Sequence, residues 1–292
     1  MIGPGTVLAG RYAIQERLGS GAVGSVFRAE DQRLGREVAV KVLHDHVADV
    51  ELRARFVREA KVLARIDHPG VVRVLDWVTS GETTALVMEL VRGESLRAHL
   101  DRTGAMPVSE VVRLGAALFD ALAAAHAAGV VHRDVKPGNV VLAETRAGVL
   151  ELRLVDFGLA RATTLTALTE TGTLLGTPAY MAPEVLAGEE ATARSDLYAA
   201  GCVVYEMLTG ARPFADRKGA ELYLAIRDDA PVKITSLRPG APPELAAAVA
   251  RAMGKRPEAR FGSAIEARDA LSPQGYTSPR ALPPADASRT AD

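Results

Sequence analysis

The apolar positions in the first part of the chain predict a small antiparallel sheet. Residues 12–43 follow a strand-like pattern, and within them the run 38–43 is apolar and rich in β-branched side chains. Two more strand-like runs, 71–78 and 85–90, are separated by a Ser-Gly-Glu sequence that is typical of a turn. We therefore expect antiparallel strands joined by short connections over this part of the chain.

One helix is predicted between these strands. Leu52, Phe56, Glu59 and Leu63 recur at helical spacing, so they share one face. An acid on an apolar face is costly without a cation. Lys41 ends the apolar run Val-Ala-Val and needs an anion for the same reason. We predict that Glu59 and Lys41 pair; the alternative is that Lys41 points to solvent at a sheet edge.

After residue 93 the pattern becomes mainly helical. Short strand-like pieces occur at 140–142 and 149–155, and the Thr-rich stretch 161–177 lacks periodicity, which favours an exposed loop. Helices are expected near 109–129, 196–208, 219–228, 243–253 and 262–271. The pattern divides this α+β chain into an N-terminal lobe (1–91), a larger, mainly helical lobe (92–271) and a Pro-rich disordered tail (272–292).

The composition is ordinary for a soluble protein and excludes several functions. Of 292 residues, 48% are apolar and 24% charged, and the formal net charge is -1, so no nucleic-acid partner is expected. The longest apolar stretches, 115–131 and 198–208, are interrupted by polar residues and cannot fill the roughly 20 positions of a membrane helix. The start lacks signal-peptide features. We therefore expect a cytoplasmic protein without membrane contact.

The first candidate for chemistry is a glycine-rich loop at 19–24, with the pattern G-x-G-x-x-G. In a dinucleotide-binding fold a helix would follow directly. Here Val26 and Phe27 continue as a strand, which favours a hairpin tip whose backbone N–H groups can approach phosphates. A flexible hairpin tip without a ligand is the alternative.

Two later loops carry polar groups with catalytic potential. In the first, Asp134 could accept a proton, and Lys136 and Asn139 lie two and five residues further on. In the second, Asp156 follows a strand-like run and precedes Phe-Gly, so its carboxylate could hold a hard cation together with the Asn139 oxygen. Ordinary polar loops and strand-ending turns also have such compositions.

The order of these motifs resembles one family. The chain contains G-x-G-x-x-G-x-V (19–26), V-A-V-K (38–41), the helix glutamate, H-R-D-V-K-P-G-N (132–139), D-F-G (156–158) and A-P-E (182–184). This series, across residues 10–271, is similar to eukaryotic-type (Hanks-type) serine/threonine protein kinases. The sequences at 10–12, 29–31 and 256–260 are most similar to the bacterial branch. The resemblance implies the bilobal protein-kinase fold.

The resemblance also implies roles for single residues. Lys41 would pair with the α- and β-phosphates of ATP and be held by Glu59, while Asn139 and Asp156 would bind Mg²⁺ or Mn²⁺. Asp134 would accept the proton of the substrate hydroxyl, and Lys136 would stabilise the γ-phosphoryl group. The nucleotide site would comprise Leu18, Gly19, Ser20, Gly21, Ala22, Val23, Gly24, Ser25, Val26, Ala39, Lys41, Met88, Glu89, Val91 and Val141.

Substrate class and regulation follow from the same resemblance. Thr177 and Lys136 imply protein substrates with Ser or Thr, and family members often dimerise through the N-terminal lobe. Arg133 needs an anion, which a phosphate on the Thr-rich loop could supply by autophosphorylation. The candidate regulatory positions are Thr169, Thr171 and Thr173. Structural roles are expected for Asp196 and for an ion pair between Glu184 and Arg260.

One departure and several rivals bear on function. Gly138 occupies a position where many such kinases carry Glu, which predicts a weaker demand for basic residues before the target residue. A pseudokinase that acts as a nucleotide-binding scaffold is the main alternative, but it usually lacks the equivalents of Lys41, Asp134 or Asp156. An aminoglycoside or choline phosphotransferase would lack the A-P-E sequence at 182–184.

Overall fold

A computed structural model describes the chain at residues 2–21, 24–44, 50–80, 83–145, 147–158 and 178–271. Its N-terminal part is a six-stranded sheet in which each strand is antiparallel to its neighbours, in the order β1-β2-β3-β4-β6-β5, and one helix, α1, accompanies it. The elements are β1 (Val7–Leu8), β2 (Tyr12–Ser20), β3 (Gly24–Asp31), β4 (Arg36–Leu43), α1 (Val50–Leu63), β5 (Val74–Ser80) and β6 (Thr83–Glu89).

The sheet register places the chemistry of the N-terminal part on one surface. Val26 on β3 pairs with Lys41 on β4, and Ala39 on β4 pairs with Met88 on β6. β3 approaches β4 so closely that a Cβ at Gly24 would lie 2.3 Å from the carbonyl oxygen of Val42. A glycine is therefore required where the Gly-rich loop enters β3.

The C-terminal part is mainly helical and carries a second, three-stranded sheet in the order β7-β8-β9. Its strands are β7 (Glu94–Ser95), β8 (Val140–Glu144) and β9 (Leu150–Leu154). Its helices are α2 (Leu96–Thr103), α3 (Val108–Ala127), α4 (Pro183–Leu186), α5 (Ala193–Thr209), α6 (Gly219–Asp228), α7 (Ile234–Leu237), α8 (Pro243–Ala252) and α9 (Ala264–Leu271). The core is built around α3 and α5: half of the residues of α3 are buried, and from Ser195 to Leu208 every residue of α5 is buried.

The predicted α+β architecture is confirmed, but some short elements were missed. Helix α2 was not predicted because only Leu96 and Leu100 are buried, while Arg, His and Asp occupy its other turns. Helices α4 and α7 have four residues each, too few for a helical period to be visible in the sequence. The segments 161–177 and 272–292 lie outside the described residues, and the lobe boundary at 91/92 stays a prediction.

The predicted pair of Glu184 and Arg260 is confirmed and fully buried. Arg260 Nη1 and Nη2 donate to Glu184 Oε1 and Oε2, each at 2.7 Å, and Ser195 Oγ donates to Oε1 at 2.8 Å. Burial raises the pKa of Glu184, but the hydrogen bonds and charge of Arg260 outweigh it and hold that pKa below its ordinary value. The pair joins α4 to the segment before α9.

We expect Arg260→Ala to lower the free energy of unfolding by about 3–5 kcal/mol, because it leaves the Glu184 carboxylate buried without its cation. Chemical denaturation would measure the change. Arg256→Ala is the control, since the Arg256 side chain is 78% exposed in its pair with Glu258 and should contribute little. A similar loss in both variants would contradict the prediction. Since folding lowers the pKa of Glu184, the contribution should be full above the ordinary pKa of a glutamate and should be lost as pH falls through the lowered pKa.

Candidate active site

The loop between α3 and β8 is anchored by the buried carboxylate of Asp196. The backbone N–H groups of His132 and Arg133 donate to Asp196 Oδ2 and Oδ1, at 2.8 and 2.9 Å. His126 Nε2 lies 2.8 Å from Oδ2. Arg133 has φ of 65°, a left-handed conformation that is uncommon for a non-glycine residue. The predicted structural role of Asp196 therefore has a clear physical form: it holds a strained loop backbone.

His132 is a fixed, neutral part of this loop. Burial lowers its pKa. Its Nδ1 accepts a hydrogen bond from the N–H of Asp134 at 3.2 Å, and its Nε2 lies 3.1 Å from the carbonyl oxygen of Val155. These partners assign the proton to Nε2. The His132 ring packs against the Phe157 ring at a tilt of 43°, with 4.4 Å between ring centroids, and this contact joins the loop to the second one.

The three polar side chains predicted at the first loop lie together. Lys136 Nζ donates to Asp134 Oδ2 at 2.9 Å, and Asn139 Nδ2 donates to the same oxygen at 3.0 Å and to the Asp134 carbonyl at 2.8 Å. Asp134 is therefore oriented by two donors. A carboxylate held in this way can accept a proton from a hydroxyl that binds within hydrogen-bond distance of it.

The second loop brings Asp156 next to the first. The N–H of Val155 donates to the carbonyl oxygen of Asn139 at 2.9 Å. Gly158 N–H donates to the carbonyl oxygen of His132 at 2.8 Å, and a Cβ at Gly158 would lie only 3.0 Å from that oxygen. Asp156 itself has φ of 63°. Backbone strain of this kind is concentrated at functional sites.

The predicted ion pair between Lys41 and Glu59 is wrong for this structure. Lys41 Nζ contacts Asp156 Oδ1 at 2.6 Å, and Glu59 Oε1 accepts a hydrogen bond from Arg133 Nη1 at 2.8 Å. Both Lys41 and Glu59 are partly buried, and each contacts an opposite charge from a segment other than the predicted one. The sequence showed that Lys41 and Glu59 each needed an oppositely charged partner. The fold decided that these partners are Asp156 and Arg133.

Four of the residues predicted to enclose a nucleotide belong to one apolar cluster or pack against it. Ala39 and Met88 are buried, and Val26 and Val91 pack against the same core cluster. Leu18, Gly19, Ser20 and Gly21 are exposed, Gly24 and Ser25 are buried, Val141 is half-buried, and Ala22 and Val23 lie outside the described residues.

One of the two backbone groups of Glu89 that could bind an adenine base is already hydrogen-bonded within the protein. Its N–H donates to the carbonyl oxygen of Arg73 at 3.0 Å. Glu89 can therefore offer an adenine base its carbonyl oxygen but not its N–H. The predicted contribution of Glu89 is restricted to that acceptor.

The base of the Gly-rich loop has a polar connection that the sequence did not reveal. Ser20 Oγ lies 3.1 Å from Ser25 Oγ, which lies 3.1 Å from His44 Nε2. His44 follows β4, the strand that carries Lys41. No local pattern could have indicated this contact, because it depends on the β3–β4 register.

The oxygen atoms at the two loops fit a magnesium ion. Asp156 supplies a carboxylate. Both hydrogen bonds of the Asn139 amide nitrogen go to Asp134, so the Asn139 Oδ1 points away from these acceptors, and no donor in the described ranges contacts it. Carboxylate and carboxamide oxygens are the ligands that Mg²⁺ prefers.

A cavity of about 450 Å³ opens beside Asp134 and extends toward α5. Beneath it lies a pair that sequence reasoning missed: Arg97 Nη1 donates to the buried Glu206 Oε1 at 2.8 Å, and the Tyr180 hydroxyl donates to Oε2 at 2.5 Å. Burial and the Glu206 carboxylate raise the pKa of Tyr180, so its hydroxyl stays protonated.

Thr169, Thr171, Thr173 and Thr177 lie outside the described residues.

The sequence profile of the protein kinase domain matches residues 12–266. The chain belongs to the protein kinase family. The kinase is 37% identical over 309 residues to the serine/threonine-protein kinase PknA of Mycobacterium tuberculosis, covering 98% of this chain and 70% of PknA. It is 39% identical over 261 residues to PknL of the same species, covering 89% of this chain and 64% of PknL. These relatives place the kinase in the bacterial, Hanks-type serine/threonine branch.

Another relative shows how much longer such proteins can be. The kinase is 38% identical over 274 residues to the probable serine/threonine-protein kinase pknA2 of Bifidobacterium longum, which covers 92% of this chain but 36% of that protein. The chain thus spans about a third of pknA2 and about two thirds of PknA and PknL. Within the described ranges, no helix has the length and apolarity needed to span a membrane.

We expect Asp196→Ala to lower kcat more than it raises the KM for ATP. The substitution removes the acceptor of two buried N–H groups, each of which costs about 1–3 kcal/mol when unsatisfied, and it releases the Arg133 backbone. Steady-state kinetics with a protein substrate would measure both constants. Asp196→Asn keeps one acceptor oxygen and should lose less. Equal effects on kcat and KM would contradict a positioning role.

Proposed function

We propose that the kinase transfers the γ-phosphoryl group of ATP to Ser or Thr hydroxyls of proteins. The observation that supports this proposal is that Asp134, Lys136 and Asn139 hydrogen-bond one another, while Lys41 on β4 contacts Asp156 on a loop that backbone hydrogen bonds join to theirs. PknA and PknL, which are named as serine/threonine kinases, support it.

Each side chain has a role in this reaction. Asp134 accepts the proton of the attacking hydroxyl, and Lys136 stabilises the negative charge on the transferring group. Lys41 pairs with the phosphates that leave, and Asn139 and Asp156 hold Mg²⁺. When bound, the Mg²⁺ ion neutralises phosphate oxygens. Positioning and charge stabilisation therefore account for the catalysis, as in other phosphoryl transfers.

The nucleotide would lie between the strands and β8. Val26, Ala39 and Met88 offer apolar contacts to the adenine from above, and Val141 offers one from below. The carbonyl oxygen of Glu89 and the backbone of Val91 would hydrogen-bond the base. The exposed glycines of the loop at 19–24 would contact the phosphates through their N–H groups.

Lys41→Met and Asp134→Asn should each lower phosphoryl transfer by about 10²-fold or more, because each removes a charge that acts on the transition state. Transfer of labelled phosphate to a generic protein substrate measures the loss. Lys61→Met is the matched control, since Lys61 is an exposed lysine of α1. Equal incorporation of phosphate by all variants would contradict the catalytic roles assigned to Lys41 and Asp134. A wild-type protein that binds ATP without transferring phosphate would instead be a pseudokinase.

We further propose that autophosphorylation at Thr169 or Thr171 activates the kinase. A phosphate carries about -1.5 to -2 charges and would compete with Glu59 for Arg133. The contact of Glu59 with Arg133 supports this proposal, because its release would allow Glu59 to approach Lys41. Dimerisation through the N-terminal lobe stays a prediction.

Incubation with ATP should place phosphate at Thr169 or Thr171, and replacing both with Ala should lower activity toward a protein substrate several-fold. Phosphopeptide mapping and initial rates measure these effects. Replacement of Thr163 and Thr164 with Ala is the matched control from the same segment and should change little. Phosphate found only outside 161–177 would rule the proposal out.

A further inference from the structure

The cavity beside Asp134 is lined by more cations than acids. Pro137, Met181, Val185 and Ala199 form much of its apolar wall. Its charged lining residues are Arg97, Arg133, Lys136, Arg212, Asp134 and Asp196. The balance of charge in this cavity therefore depends on which of these groups already have partners.

Both acids of the cavity are occupied. Asp134 accepts hydrogen bonds from Lys136 and Asn139. Asp196 accepts hydrogen bonds from the backbone N–H groups of His132 and Arg133, in the loop that carries Asp134 (the catalytic loop), and it contacts His126. Neither carboxylate is therefore available to attract a basic side chain of a substrate.

The acid beneath the cavity is neutralised as well. Glu206 is buried, and its two oxygens are taken by Arg97 and the Tyr180 hydroxyl. Gly138 contributes no acid to the wall. The three carboxylates in and beneath the cavity, those of Asp134, Asp196 and Glu206, therefore all have hydrogen-bond donors.

Three of the four cations are paired. Arg97 contacts Glu206 and Asp101, Arg133 contacts Glu59, and Lys136 contacts Asp134. Arg212 is the exception, because it has no carboxylate partner within the described ranges, although it is half-buried against the cavity. A half-buried guanidinium attracts an anion more strongly than an exposed one, since water screens it less.

The backbone holds Arg212 in place. Gly210, with φ of 75°, ends α5, and its N–H donates to the carbonyl oxygen of Glu206 at 2.8 Å. The next residue is fixed by Thr209 Oγ1, which accepts from the Ala211 N–H at 3.3 Å. After the buried Pro213, Phe214 has φ of 57° and packs under Lys255 Nζ, 4.8 Å from the ring centroid. Arg212 is thus presented from a fixed segment.

We propose that Arg212 is a specificity-determining residue that binds an acidic side chain of the protein substrate. This inference rests on the proposed kinase function. The guanidinium can donate two parallel hydrogen bonds to a carboxylate, a strong and directional contact. An acidic residue near the target Ser or Thr would supply the charge that the cavity lacks, whereas a basic residue would meet Arg212 and find no acid.

The test compares Thr peptides that carry Glu, Gln or Lys at each position near the target. The wild-type kinase should prefer Glu over Lys at one position by about tenfold in kcat/KM, through KM, since this contact is ground-state binding. Arg212→Glu should invert the preference at that position, and Arg212→Gln should abolish it. Both variants should keep the KM for ATP.

Two further variants sharpen the result. Arg217→Glu makes the same charge reversal outside the cavity lining and should keep the wild-type preference. Gly138→Glu should weaken it, and the substitution is sterically tolerable because the nearest atom to an added Cβ is Lys136 Cε at 3.9 Å. Rescue of Arg212→Glu by the Lys peptide would show that the variant is folded and active.

Two outcomes would overturn the inference. One is an active wild-type kinase without any preference for acidic peptides. The other is an Arg212→Glu variant that loses activity toward Glu, Gln and Lys peptides equally, together with lower phosphorylation within 161–177, which would assign the anion to the kinase itself. If the wild type phosphorylates no peptide or protein at all, the proposed function fails, and that result is distinguishable from either outcome.

Discussion

The buried carboxylate of Asp196 is the contact on which the catalytic geometry depends. It lies on α5, in the centre of the helical core, and accepts the N–H groups of His132 and Arg133. A loop with a left-handed, non-glycine residue would relax if these bonds were absent. Because α5 is buried in the core, these hydrogen bonds fix the loop that carries Asp134 to the core. The core thus positions the chemistry through two hydrogen bonds.

A second constraint is that buried charges must be paired. Arg260 satisfies this with Glu184, within one region of the helical core. Lys41 and Arg133 satisfy it across segments, and their partners in this structure are Asp156 and Glu59. In ion pairs of this kind, a newly introduced anion such as a phosphate can replace the carboxylate that contacts the cation. The pair of Glu184 and Arg260 lies within the helical core, whereas the pairs of Lys41 and Arg133 lie beside the loop that carries Asp134.

In the cavity beside Asp134 the charges are paired in the same way, with one exception. Glu206 and Asp134 are neutralised by their own neighbours, and Gly138 adds no acid. Within the described ranges, Arg212 is left as a half-buried cation in a cavity with an apolar wall. The balance of paired and unpaired charge, more than the number of charged residues, defines the chemistry that this surface can recognise.

The sequence by itself determined the types of the longer elements and the residues that are candidates for catalysis. Helical and strand periods are local, and Asp134, Asn139 and Asp156 follow their elements at short spacing. Only the tertiary structure decided how the charges pair. Lys41 contacts Asp156 across 115 positions and Arg133 contacts Glu59 across 74, so no local pattern could assign them. Arg212 gave no signal either, because its significance arises from acids that the fold has already neutralised. Periodicity is encoded along the chain, whereas partner choice depends on distances that exist only after folding.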